Sequence, residues 1–223
     1  MTFSVAGFCP ETGMLGCAIS SSSICVTSRC AFVGSGTGVA LTQNVTNPDL
    51  GPLGLELLAE GKTPEQVIAA LGEADSDVSW RQLGILNNQG AGATFSGEKA
   101  LGLHATAVGN NCIAMGNLLA NEGVPAAMVE AFEASKGHLA ERLLQALEAG
   151  LAAGGELGPV HSAGLLMCAE PKWPVVDLRV DWHIEPISEL RMVWQNYQPQ
   201  MQAYITRALD PDNAESYGVP GDE

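Results

Sequence analysis

The sequence predicts an α+β fold: two stacked, mainly antiparallel sheets with helices on both outer faces. Three patterns lead there. Apolar residues alternate with a two-residue period over some blocks and a 3.6-residue period over others. The strand blocks come as hairpins divided by turn residues. The helical blocks come in pairs, whereas a parallel βαβ series would set single helices between single strands.

Taken in order, residues 2–8 (Thr-Phe-Ser-Val-Ala-Gly-Phe) read as a strand, Pro10-Glu11-Thr12-Gly13 as a turn, and residues 14–20 as the return strand. Strands at 30–34 and 38–43 flank Gly34-Ser35-Gly36-Thr37-Gly38, which lacks the spacing and the lysine of a phosphate loop and is a hairpin turn. The period then changes. Leu53, Leu57 and Leu58 recur at helical spacing up to Gly61. Thr63-Pro64-Glu65-Gln66 opens a second helix with a cap, a first-turn proline and a capping box, and Val67, Ile68 and Leu71 form its apolar stripe.

Strands return at 80–87 and 91–96 around Asn88-Gln89-Gly90, at 104–109, and at Cys112 to Met115. Helices follow at 124–135 and 138–153, the second carrying the stripe Leu139, Leu143, Leu144, Leu147 and Leu151. Strands at 161–168 and 174–181 and a helix over 186–196 complete a single domain of residues 1–197. Residues 198–223 form a C-terminal extension, expected as a short helix and a loose tail packed on a neighbouring subunit.

The chain has 223 residues with a net charge of −15, from 25 acids and 10 bases, which excludes a nucleic-acid backbone or an anionic membrane as partner. The opening segment has no basic n-region and is interrupted by Pro10, Glu11 and Gly13, and no run of 18 apolar residues occurs, so a cytoplasmic protein is expected. Cys9, Cys17, Cys25, Cys30, Cys112 and Cys168 are scattered without a Cys-x-x-Cys pair and read as core residues. His104, His138, His161 and His183 lack ligand spacing, so neither a metal nor another cofactor is expected.

Thr2 carries the most chemistry. A residue this small behind Met1 permits removal of the methionine, which would leave a β-hydroxyl and a free α-amine on one residue. That amine titrates near roughly 7.7–8.0 and can act as a base at neutral pH. Gln43, Asn44 and Asn47 lie where a strand ends and a helix begins, a place for polarising N–H groups, although Asn47 equally suits plain capping. Ser21, Ser22 and Ser23 follow the return strand, with Ser22 as the substrate-binding candidate. Asn117 is an uncharged polar residue among Ile113, Met115, Leu118 and Leu119 and would need partners if buried. Asp177, Arg179 and Asp181 share one strand face and suit an ion-pair ladder or an interface.

The layout resembles the four-layer αββα fold of the N-terminal nucleophile (Ntn) hydrolases, proteasome β-subunits among them. More specifically, the chain is identified as a member of the family catalogued as domain of unknown function 1028. The matching segments are Met1-Thr2-Phe3-Ser4, Pro10-Glu11-Thr12-Gly13, Leu15-Gly16, Thr42-Gln43, Thr46-Asn47-Pro48, Gly51-Pro52, Gly54-Leu55, Gln82-Leu83-Gly84-Ile85, Gly116-Asn117, Leu139-Ala140-Glu141-Arg142-Leu143, Ser162-Ala163 and Asp177-Leu178-Arg179-Val180-Asp181.

The resemblance implies an amidohydrolase acting on a small amide, lactam or amino-acid derivative through Thr2, with a homo-oligomeric assembly. Many threonine Ntn hydrolases add a lysine that lowers the amine's pKa. No lysine precedes Lys62 here, so Arg29, the only base before it, would substitute, supplying charge but no proton. The alternative is a non-catalytic binding or assembly protein that keeps the scaffold.

Overall fold

A computed structural model describes residues 1–221. A six-stranded antiparallel sheet has the order β10-β9-β2-β1-β8-β7. It comprises β1 (Thr2–Phe8), β2 (Leu15–Ser21), β7 (Ala105–Gly109), β8 (Cys112–Asn117), β9 (Ser162–Cys168) and β10 (Pro174–Val180). A four-stranded sheet runs β3 (Ala31–Gly34), β4 (Gly38–Asn44), β5 (Arg81–Asn87) and β6 (Gly92–Ser96). The helices are α1 (Val26–Cys30), α2 (Leu50–Ala59), α3 (Pro64–Ala74), α4 (Val124–Ala134), α5 (Leu139–Ala152) and α6 (Pro186–Leu209).

Alternation along β1 builds the layers. Phe3 and Val5 point outward into a core shared with α4, α5 and α6, where Phe132, Leu143, Leu147 and Trp194 meet them. Ala6 and Phe8 point the other way, packing with Ile19, Ile113 and Met115 against Val39, Leu41 and Leu86 of the second sheet. On the far side, α2 and α3 lay Leu50, Leu58, Val67 and Leu71 over Ala40, Leu83 and Ile85. The result is an αββα sandwich. The buried α5 leucines Leu139, Leu143, Leu144 and Leu147 contribute about 6–12 kcal/mol of transfer free energy, at roughly 1.5–3 kcal/mol each.

Local chemistry sets the element ends. Gly13, with φ at +70°, closes the turn between β1 and β2. The α3 capping box forms as its sequence requires: Thr63 Oγ1 accepts from the Gln66 amide, and the Gln66 side chain accepts from the Thr63 amide. Arg179 forks onto the Asp177 carboxylate at 2.7 and 2.9 Å, an exposed ion pair on the β10 face.

Three features differ from expectation. A short helix, α1, stands between the return strand and the next one, where no element is expected, because Ser162 on β9 holds it: Val26 donates to Ser162 Oγ at 3.2 Å, and that hydroxyl donates to the Ser23 carbonyl at 2.6 Å. Leu151 is exposed although it belongs to the α5 stripe. The expected boundary at residue 198 falls inside α6, which continues to Leu209. Pro199 costs the helix one N–H donor, but both Pro199 and Gln195, whose carbonyl lies four residues back, are exposed to water. Met201 and Ala203 beyond it are buried, which ties the extension to the domain. Among the described residues, no helix is long and apolar enough to cross a membrane.

Candidate functional site

The inner face of β1 is apolar at Ala6 and Phe8 but polar at Thr2 and Ser4, so a polar cluster closes one end of the space between the sheets. Register places Thr2 opposite Ser21 on one side and Asn117 on the other. Directly paired residues share a face. A row Asn117–Thr2–Ser21 therefore crosses the sheet, and Ser162 extends it beyond Ser21.

Behind that row runs a buried side-chain network. Ser4 Oγ donates to Gln43 Oε1 at 2.8 Å, and Gln43 Nε2 donates to Gln82 Oε1 at 2.8 Å. Asn117 Nδ2 donates to the same Gln82 oxygen at 3.1 Å. Gln82 Nε2 donates to the Gly116 carbonyl at 2.9 Å and to Ser96 Oγ at 3.0 Å. The network joins both sheets and fixes each amide's orientation. One atom remains: Asn117 Oδ1 is buried and accepts nothing from the described residues. Leu118, the next residue, adopts φ +51°, a left-handed backbone that a side chain this large resists.

Thr2 is 5% exposed. Its hydroxyl donates to the Met1 carbonyl at 2.6 Å and lies 3.2 Å from Ser21 Oγ. The Ser21 hydroxyl also reaches the Met1 carbonyl and accepts the Ser23 amide at 3.0 Å. Two hydroxyls thus converge on one amide carbonyl oxygen. The loop after α5 contributes Glu156, whose Oε2 accepts the Ser22 amide at 3.2 Å while Oε1 is buried without a partner among the described residues. Burial raises the Glu156 carboxyl above the usual carboxylate range, against the pull of the Ser22 hydrogen bonds, the chain's α-ammonium and His161.

The structure brings Thr2, Gln43 and Asn117 together, Gln43 through Ser4. Ser22 contributes its backbone amide, and its neighbour Ser21 supplies the hydroxyl. Asn44 holds φ +75°, with its side chain spent on the Trp80 carbonyl at 2.5 Å and the Leu101 amide at 3.2 Å. Asn47 bonds Asp75 and the Asp49 amide, a local structural role beside the Arg81–Asp75 ion pair at 2.9 Å. Arg29 donates to the Cys25 carbonyl at 3.1 Å.

Gln82 and Glu156 escaped the sequence reading. Gln82 looked like an ordinary strand residue. Glu156 was the more findable, as the one acid in Gly154-Gly155-Glu156-Leu157-Gly158-Pro159. The Cys30 and Cys168 thiols are poor nucleophiles, since burial pushes both up to about 11.

An αββα sandwich whose opening strand carries a threonine and a polar network at one end defines the structural class. The chain belongs to the family described as "Family of unknown function (DUF1028)", which matches residues 2–190. Among solved structures, it is similar to protein SPO2555 from Silicibacter pomeroyi, of the same family, at 31% identity and a TM-score of 0.83 over 88% of this chain and 89% of that one. Anbu (ancestral beta-subunit) from Yersinia bercovieri aligns over 91% of this chain and 97% of its own at 11% identity. Its TM-score of 0.40 is too low to carry an inference. No curated protein matches.

Proposed function

We propose that this protein is an N-terminal-nucleophile amidohydrolase in which Thr2, freed of Met1, cleaves a small amide, lactam or amino-acid derivative. One observation carries the reading: the Thr2 and Ser21 hydroxyls already grip an amide carbonyl, that of Met1, at one end of the sandwich. Removal of Met1 frees both hydroxyls to meet a substrate carbonyl and uncovers the α-amine.

The Thr2 Oγ1 attacks the carbonyl carbon while its proton passes to the α-amine. The Ser21 O–H, polarised by the Ser23 amide, stabilises the developing oxyanion. The tetrahedral adduct collapses to a threonyl ester, and the leaving amine takes the proton from the α-ammonium. Water, deprotonated by the α-amine, then hydrolyses the ester to the acid and restores Thr2. Asn117 Oδ1 is an acceptor and so suits an N–H group, on the α-amine or the substrate, rather than the oxyanion. Gln43 and Gln82 hold Asn117 and Ser4 in place.

On this reading the substrate is a small molecule, the compartment is cytoplasmic, and exposed Trp182 and Ile184 favour a homo-oligomer. A second reading, a non-catalytic binding protein on the same scaffold, draws support from Arg29, whose guanidinium is turned onto the Cys25 carbonyl. The experiment that separates them is amide hydrolysis by Met1-free protein, verified by intact mass, across a panel of amides and lactams. Turnover that Thr2→Ala abolishes supports the hydrolase. Turnover that survives Thr2→Ala removes Thr2 as the nucleophile, and none across the panel favours the binding protein.

A further inference from the structure

Beside the N-terminus, Glu156 lines a cavity of about 240 Å³ shared with the start of α6. Leu151, Val160, Ile184 and Ile187 give it apolar walls, and Glu156 and Glu185 are its only charged lining residues among those described. Glu156 is 5% exposed, and its Oε1 has no donor among the described residues. A buried carboxyl oxygen without a donor, on a residue that lines a cavity, points to a ligand carrying that donor.

Met1 shows how such a ligand would lie. Its carbonyl is held by the Thr2 and Ser21 hydroxyls. Its Sδ and Cε come within 3.8 Å of where a Cβ on Gly158 would stand, at the cavity wall. Its α-ammonium acts on the Glu156 carboxyl only through charge and makes no ion pair with it among the described residues, so Oε1 stays open to another donor. An apolar aminoacyl group with a free amino terminus, joined through an amide, is therefore already laid across the centre.

From this geometry we infer that the Thr2 centre selects amides of apolar α-amino acids bearing a free amino group. The substrate ammonium donates to Glu156, and its side chain lies in the cavity walled by Leu151, Val160 and Ile187. As an assignment of substrate this rests on the hydrolase reading, whereas ligand binding in the cavity does not. Among the described residues the lining offers two acids and no base, which favours a cationic group over a free carboxylate there.

The test is calorimetric binding to Met1-free Thr2→Ala protein, which cannot form the threonyl ester, using L-leucinamide and its deamino counterpart 4-methylpentanamide. Leucinamide should bind at least tenfold more tightly, and Glu156→Gln should bring the two within threefold. Leu151→Trp, which narrows the cavity from an exposed position, should weaken both and provides a folded second variant. Equal binding of the two probes, no binding at 10 mM, or a preference that survives Glu156→Gln would overturn the inference. Leucinamide binding without hydrolysis by the Met1-free wild-type protein would support the cavity assignment while removing the hydrolase reading.

Discussion

Replacing Gln82 with alanine tests whether the network behind Thr2 is a single buried unit. The substitution removes four hydrogen bonds, to Gln43, Asn117, Ser96 and Gly116. Ser96 is only half-buried and can turn to water, but the other three partners are buried. Each buried polar group left alone costs about 1–3 kcal/mol, and one water entering the vacated space recovers part of that. The expected loss is about 3–5 kcal/mol. At 2–4 °C per kcal/mol for a chain of this size, the Tm should fall by roughly 6–20 °C. Urea denaturation at pH 7 gives the free energy directly, with the m-value as a check that the unfolded state is unchanged. Ser4→Ala removes a single bond, to Gln43 Oε1, and should cost about 1 kcal/mol. If Gln82→Ala were no more destabilising than Ser4→Ala, the residues would not act as one network.

Three further outcomes are expected. Thr63→Ala breaks the α3 capping box and should cost about 1 kcal/mol in the same urea assay. Gly164→Ala places a Cβ 1.9 Å from Thr27 Oγ1, where α1 meets β9, and the overpacking should cost about 1–3 kcal/mol. Because burial raises the folded pKa of Glu156 above its unfolded value near roughly 4.3, its contribution is fully present below that pH and is lost as pH rises through the folded pKa. Glu156→Gln should therefore gain stability relative to wild type between pH 4 and pH 8 by urea titration, and a constant difference would contradict the assignment.

The fold was largely legible because its signals are local. The Thr63-to-Gln66 box, the Leu139-to-Leu147 stripe and the Pro10-to-Gly13 turn each fit in a few residues, and each formed where expected. What escaped depends on partners far along the chain. Nothing near Val26 announces that Ser162, 136 residues away, will hold a helix there. Pro199 reads as a stop because the sequence does not say that its side of α6 faces water. The site divides in the same way. Thr2 and Asn117 could be chosen by type and position, but their pairing across adjacent strands is a property of register. Asn44 and Asn47 were candidates by position at a strand end and a helix start, yet their amides serve nearby loops. Gln82 gains its meaning only through three side chains on other strands and the Gly116 carbonyl behind Asn117.

The most direct measurement is intact-mass analysis and peptide mapping after exposure to a β-lactone, which acylates an activated hydroxyl. A stoichiometric adduct on Thr2 of chains that have lost Met1, absent from Thr2→Ala and accompanied by loss of amide hydrolysis, is the predicted result. Hydrolytically active protein that keeps Met1, or an adduct on any other residue with the same loss of activity, would contradict it.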